Sequence, residues 1–197
     1  MGKQKYQDRV MNLFEKSPIV SYTSIERITN GKKAAKQYAK QLINNLIKKN
    51  KIKRITKGYY SVYDDPSLIV YSLKPAYLGL QDALSMHNLW EQETIPIILT
   101  SRKIRQGIRI INNSNVLIRR IDKKYIFGTE LLKQGNLYFP YSDIEKTFID
   151  MIYFKENFTK GTIKEIKQKI NKTKLNSYLK HYPKQIKKRV LSVLEGS

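Results

Sequence analysis

A chain of 197 residues is long enough for one large or two small domains, and 41% hydrophobic residues support a packed core rather than a disordered tail. The absence of cysteine excludes disulfides, thiolate-held zinc and a cysteine nucleophile, and two histidines far apart in sequence, His87 and His181, argue against a histidine-rich metal site. Of the formal net charge of +22, residues 1–65 carry +10 (15 basic, 5 acidic), residues 66–154 carry +3 (11 and 8) and residues 155–197 carry +9 (12 and 3), so polyanion contact is expected at the two ends and a different task in the middle.

Gln4 to Lys16 places Val10, Leu13 and Phe14 on one face and reads as a helix that Ser17-Pro18 ends. Ile19-Val20 is a candidate short strand. The stretch Thr23-Ser-Ile-Glu26 has the capping-box pattern, so Thr23 is expected to cap a second helix. Asn30-Gly31 should end it, because both residues tolerate positive φ. From about Lys32 to about Lys49, Ala35, Ala39, Leu42, Ile43, Leu46 and Ile47 recur at helical spacing and form one stripe. Lys33, Lys36, Gln37, Lys40 and Asn44 lie opposite that stripe. At ~1.5 Å per residue this helix would be on the order of 27 Å long. Ile52 to Ile55 sets basic residues between apolar ones, Lys57-Gly58 is a turn, and Tyr59 to Tyr63 returns as a second strand.

Helix, turn, long basic helix and hairpin, in that order, is the order of a winged helix-turn-helix, which lays its second helix into the DNA major groove. Lysine can neutralise a phosphate or donate to guanine, and glutamine can pair bidentately with adenine. The candidate DNA-binding residues are therefore Lys32, Lys33, Lys36, Gln37 and Lys40 on the helix, with Lys53, Arg54, Lys57 and Tyr59 on the wing. A lysine-rich face is also what any solvated helix presents, and a winged helix can dock protein. The complete order of elements is what favours DNA.

Asp64-Asp65-Pro66 breaks the pattern and marks a boundary between a domain of residues 1–65 and one of residues 66–197. Ser67 to Ser72 reads as a helix start or linker, and Tyr77 to Trp90 as a helix with Leu80, Ala83, Leu84 and His87 on one side. Ile95 to Thr100 is a buried strand candidate, and Arg109–Ile111 and Val116–Ile121 are strands around an Asn-Asn-Ser turn. Tyr125–Gly128 and Leu137–Pro140 are further short strands, and Asp143–Phe154 is a helix with Ile144, Phe148, Met151 and Ile152 inward. Residues 159–197 read as three short basic helices. Thr162 is expected to cap the first, the second covers about Thr173 to Lys180, and the third starts near Pro183. Its apolar stripe is Ile186, Val190, Leu191 and Leu194. The fold class expected is α+β: an N-terminal winged helix-turn-helix, a central mixed α/β domain with a small sheet, and C-terminal helices.

Enzymatic signals are weak. Asp143, Glu145, Lys146 and Asp150 form the one dense acidic cluster with a lysine, as a metal-dependent nuclease needs. Adjacent residues of a helix point roughly 100° apart, however, so Glu145 and Lys146 do not converge. The cluster reads as salt-bridged or capping. The glycines are scattered and make no phosphate-cradling loop, and no serine–histidine arrangement suggests a triad. No enzyme activity, cofactor or metal is expected. The sequence has no apolar run long enough to span a membrane, and MGKQKYQDRV lacks the apolar core of a signal peptide, so a cytoplasmic protein is the default.

Several short motifs in fixed order resemble the AbiEi-type antitoxins of abortive-infection toxin–antitoxin systems. They are LIKKNKIKRITKGYYSV in the wing, Asp65-Pro66, Tyr77-Leu78, Ala83-Leu84, His87-Asn88-Leu89, Ile97 to Thr100, Phe127-Gly128 and Ile144 to Asp150. They span about Leu46 to Asp150. Asn88 departs from the pattern where many members have glycine, and is expected to loosen the local turn. The resemblance implies a repressor that binds inverted repeats of double-stranded DNA in its own promoter, as a monomer in solution or a dimer on DNA. It also implies a protein that counters a nucleotidyltransferase-type toxin, typically without a stable complex. Two other readings stay open: a module that directly sequesters an acidic toxin, and a plain winged-helix regulator with no toxin.

Overall fold

The computed structural model describes residues 2–29 and 35–196. They divide into two compact units, Met1–Ser72 with Ile111–Ser114, and Leu73–Ile110 with Asn115–Ser197. The chain is α+β, with one small antiparallel sheet and one larger mixed sheet among its helices.

The first unit runs α1 (Gly2–Lys16), β1 (Val20–Ser21), α2 (Tyr22–Ile28), α3 (Ala35–Lys48), β2 (Lys53–Thr56) and β3 (Tyr59–Ser61). A 3-10 turn at Pro66–Leu68 then leads into α4 (Ile69–Ser72). α1, β1, α2, α3 and β3, with Ile52 just ahead of β2, supply a common core of Val10, Phe14, Val20, Ile25, Leu42, Ile43, Leu46, Ile52 and Tyr60. Each large aliphatic side chain buried there stabilises the unit by about 1.5–3 kcal/mol over its exposed state. The three strands pair in the order β1-β3-β2, all antiparallel, with Val20 opposite Tyr60 and Lys53 opposite Ser61.

The expected cap of α2 is corrected. Ser21, not Thr23, stands at the N-cap: its backbone is extended (φ −79, ψ 152) and its Oγ accepts the Ser24 amide at 3.1 Å. Thr23 sits inside the first turn, its hydroxyl 2.8 Å from that of Ser21. Serine is as good a cap as threonine, and pairing of Ser21 with Tyr59 leaves it extended where the helix must begin. The expected stop at Asn30-Gly31 lies outside the described residues. Asn50 ends α3 in the left-handed region (φ 52), and the Lys51 amide returns to the Leu46 carbonyl at 2.9 Å.

The second unit is a six-stranded sheet under a helical layer. Its strands are β4 (Ala76–Leu78), β5 (Ile97–Thr100), β6 (Gly107–Ile111), β7 (Ser114–Arg120), β8 (Thr129–Gln134) and β9 (Leu137–Ser142), in the order β6-β7-β5-β4-β9-β8. β4 pairs antiparallel with β5 and parallel with β9, and β5 pairs parallel with β7. The helices are α5 (Leu80–Met86), α6 (Ile144–Tyr153), α7 (Lys160–Lys169), α8 (Lys172–Leu179) and α9 (Lys184–Glu195). α6 packs against the other four and is buried along its whole length from Glu145 to Ile152. Among the described residues, no helix is long and apolar enough to cross a membrane.

Several sequence expectations are corrected here. Tyr77-Leu78 is not helical: it forms a buried inner strand, and α5 begins only after Gly79. Tyr125–Gly128 is not a strand: a 3-10 turn covers Lys123–Tyr125, and the strand that pairs with β9 is Thr129–Gln134. The cap of α7 is Thr159, whose Oγ1 accepts the Thr162 amide at 3.0 Å; Thr162 lies in the first turn. On α9, Val190 is buried but Leu191 is 40% exposed, so the apolar stripe is narrower than its periodicity implies. Asn88 does not loosen its turn. It adopts φ 55, the conformation glycine would take there, and the Leu89 amide reaches the Leu84 carbonyl at 2.8 Å.

Candidate nucleic-acid interface

α3 divides cleanly by side. Ala39, Leu42, Ile43 and Leu46 are buried, while Lys36, Gln37, Lys40, Gln41, Asn44, Asn45 and Lys48 are exposed. The division follows from the sequence: apolar residues at i, i+3, i+4 and i+7 share one side of a 3.6-residue period. The helix contains no acidic residue. Tyr22 fastens its first turn by donating a hydrogen bond from Oη to the Lys36 carbonyl at 3.2 Å. Of the five helix positions singled out from sequence, Lys36, Gln37 and Lys40 therefore face solvent. Lys32 and Lys33 lie outside the described residues.

The hairpin is set by Gly58, whose φ of +78 would strain any residue with a side chain. Its carbonyl accepts the Tyr22 amide at 2.7 Å, which ties the turn to the start of α2. A register shift between Arg54 and Thr56 lets Lys53 and Arg54 both emerge while Ile55 turns into the core. Arg54 and Lys57 are exposed, and Tyr59 is half-buried. Lys53 is different: its ammonium is ion-paired with Asp64. Of the hairpin cations, Arg54 and Lys57 have no such partner among the described residues. Both sets of cations belong to the same compact unit.

The acidic cluster of the second unit is internally committed. Asp143 caps α6 by accepting the Lys146 amide at 2.8 Å, and its other oxygen accepts from Tyr178 Oη at 2.8 Å. Glu145 accepts the Asn171 amide at 2.7 Å, and Lys174 bridges Asp143 and Glu145 at 3.1 and 3.0 Å. Burial draws the Lys174 ammonium down, but its hydrogen bonds to Glu145 and Asp143 outweigh this and leave it raised. Lys146 and Asp150, one helical turn apart, form a fully buried ion pair. Lys146 also lies 2.7 Å from Tyr77 Oη, which donates to Asp150 at 2.7 Å. Burial pushes the Asp150 carboxyl up and the Lys146 ammonium down, each opposed by the other's charge. Among the described residues, no group of three or more His, Asp or Glu is arranged to hold a metal ion. His87 Nε2 lies 2.8 Å from the Ser142 carbonyl oxygen, so that nitrogen carries the proton.

Sequence reasoning left Gln41 and Asn45 out of the exposed face of α3, and noted Asn44 without giving it a role. The signal that recovers them is arithmetic: at 100° per residue, Gln37, Gln41, Asn44 and Lys48 centre on the side opposite Leu46, with Asn45 flanking them.

No protein-family model matches the chain, and no curated protein does. Among solved structures, the chain is similar to the RV2827C protein from Mycobacterium tuberculosis, with a TM-score of 0.61 and 12% sequence identity. The match covers 97% of this chain and 76% of that one. At that identity the likeness is one of fold.

Proposed function

We propose that the first unit is a winged helix-turn-helix and that the protein is a DNA-binding transcriptional repressor. The observation that carries this reading is the exposed face of α3, which is rich in lysine and amides and has no acidic residue. The element order supports it: α2 and α3 in succession, then a tight hairpin with free cations at Arg54 and Lys57. In this reading α3 enters the major groove and the hairpin touches the backbone. The resemblance to AbiEi-type antitoxins extends the proposal. The protein represses its own operon at inverted repeats and counters a nucleotidyltransferase-type toxin encoded beside it.

Salt dependence tests the DNA-binding part. If each protomer neutralises about five phosphates, the logarithm of affinity falls against that of salt concentration with a slope near −4 to −5 per protomer. Fluorescence anisotropy on a labelled duplex reads this directly, and a slope near zero overturns the reading. Co-expression with the neighbouring gene tests the antitoxin part: rescue of growth from a toxic neighbour supports it. An acidic partner that co-purifies through nuclease treatment and moderate salt would instead favour direct sequestration.

A further inference from the structure

We propose that α3 selects operators by reading adenine, through Gln37, Gln41 and Asn44. The proposal rests on the DNA-binding reading above and names what that surface recognises. These three amides occupy the middle of the exposed face, opposite the buried Ala39, Leu42, Ile43 and Leu46. None of their side chains makes a hydrogen bond among the described residues. A helix face that only needs solvent usually alternates glutamate and lysine in supporting pairs four residues apart. Here the pairs at that spacing include Gln37 with Gln41 and Lys40 with Asn44, and no pair on this face contains an acid.

The chemistry of the amide decides the base. A carboxamide offers one donor and one acceptor side by side, which matches N7 and N6–H of adenine. Guanine presents two acceptors there, which suit the donors of a cation rather than the donor–acceptor pair of an amide, and arginine is absent from α3. At a rise of ~1.5 Å per residue, Gln37 and Asn44 are roughly 10 Å apart along the helix, about three base-pair steps. Lys36 and Lys48 stand at the two ends of this row, placed for phosphates on either side of a groove. The operator half-site is thus a short run of base pairs bearing adenine where the amides reach, with lysine fixing position and the amides fixing sequence.

Selection from a random duplex pool with the full-length protein is the test, followed by replacement of each enriched adenine with 7-deazaadenine, which lacks the N7 acceptor. Enriched sites should carry adenine at two or three positions within a half-site, and a deaza substitution at one of them should weaken binding about tenfold. Gln41→Ala and Asn44→Ala should each lose about tenfold on the selected site yet bind an alternating dI-dC duplex like the parent. For the matching amide and adenine, the two losses should not add. Guanine at the enriched positions, or fully additive losses, overturns the inference while leaving DNA binding in place. Failure to bind any duplex overturns the DNA-binding reading and this one with it. Both positions are exposed on the helix and alanine favours helix, so circular dichroism should match the parent and exclude misfolding.

Discussion

At the scale of single residues, Lys146 is the least expected placement in a chain of this charge. Most of its lysines are exposed, yet this one is fully buried on a helix, paired with Asp150 and ringed by Tyr77, Phe127 and Tyr182 at 5.1, 5.5 and 6.0 Å from its ammonium. A desolvated charge is tolerable only while its partner remains. Lys146→Ala should therefore lower stability by about 3–5 kcal/mol, because it leaves a carboxylate alone in the interior. The double substitution Lys146→Met with Asp150→Leu should cost clearly less than the single one. Chemical denaturation of the three proteins decides it; equal losses would mean that packing, not charge pairing, governs the site. Gly128 shows a related constraint. It has φ +65, and a Cβ there would meet Tyr178 at 2.9 Å and Lys146 at 3.0 Å.

At the scale of elements, what was legible depended on whether local signals agreed with long-range ones. α3 could be read because its periodicity, its length and its position before a turn all pointed the same way. The β6–β7 hairpin was equally legible, since Asn112 and Asn113 take the positive φ (49 and 63) that a tight turn requires. α6 could be placed from Asp143 and the apolar run that follows. Tyr77-Leu78 misled because Leu80, Ala83 and Leu84 continue a helical pattern backward through it, while the pairing that makes it a strand comes from Ile98 and Tyr141. β8 misled in the opposite way. Its residues are mostly exposed on a sheet edge, so it lacks the alternation that marks a half-buried strand. Capping residues slipped by two or three positions where Ser21 and Thr159 compete with nearby hydroxyls. For the elements of the proposed interface, Gln37→Ala should relax sequence preference, whereas Lys36→Ala and Lys57→Ala should weaken binding to all duplexes alike. Gel shifts on matched and scrambled duplexes distinguish these; identical behaviour would erase the division between base and backbone contacts.

At the scale of the whole molecule, charge asymmetry was visible in the sequence but topology was not. A parallel pairing such as Leu78 with Tyr141 leaves no trace in either segment alone. The exposed side of α3 was accessible by counting, while the commitment of Lys53 to Asp64 was not, because the two lie eleven residues apart and meet only once the hairpin has folded back. The second unit also carries a pH dependence that composition does not reveal. Burial, then the hydrogen bond to Asp143, pushes the Tyr178 hydroxyl up to about 12 from an ordinary value of 10.0. Tyr77 and Tyr182 are raised as well, first by burial and then by the Asp150 charge. Unfolded chains would lose these protons near pH 10 while the folded protein keeps them. Their contribution to stability is therefore complete below pH 10 and is lost as pH rises toward about 12. Melting temperatures across that range should fall steadily, and Tyr178→Phe should soften the fall; a flat profile would remove the assignment.

The aromatic enclosure around Lys146 has a further consequence. Acetyl donors and other electrophiles that remodel surface amines have no path to this nitrogen while the helical layer is closed. In a protein whose outer cations are open to such chemistry, position 146 would keep its native form until the second unit itself comes apart, and a mark found there would record that opening.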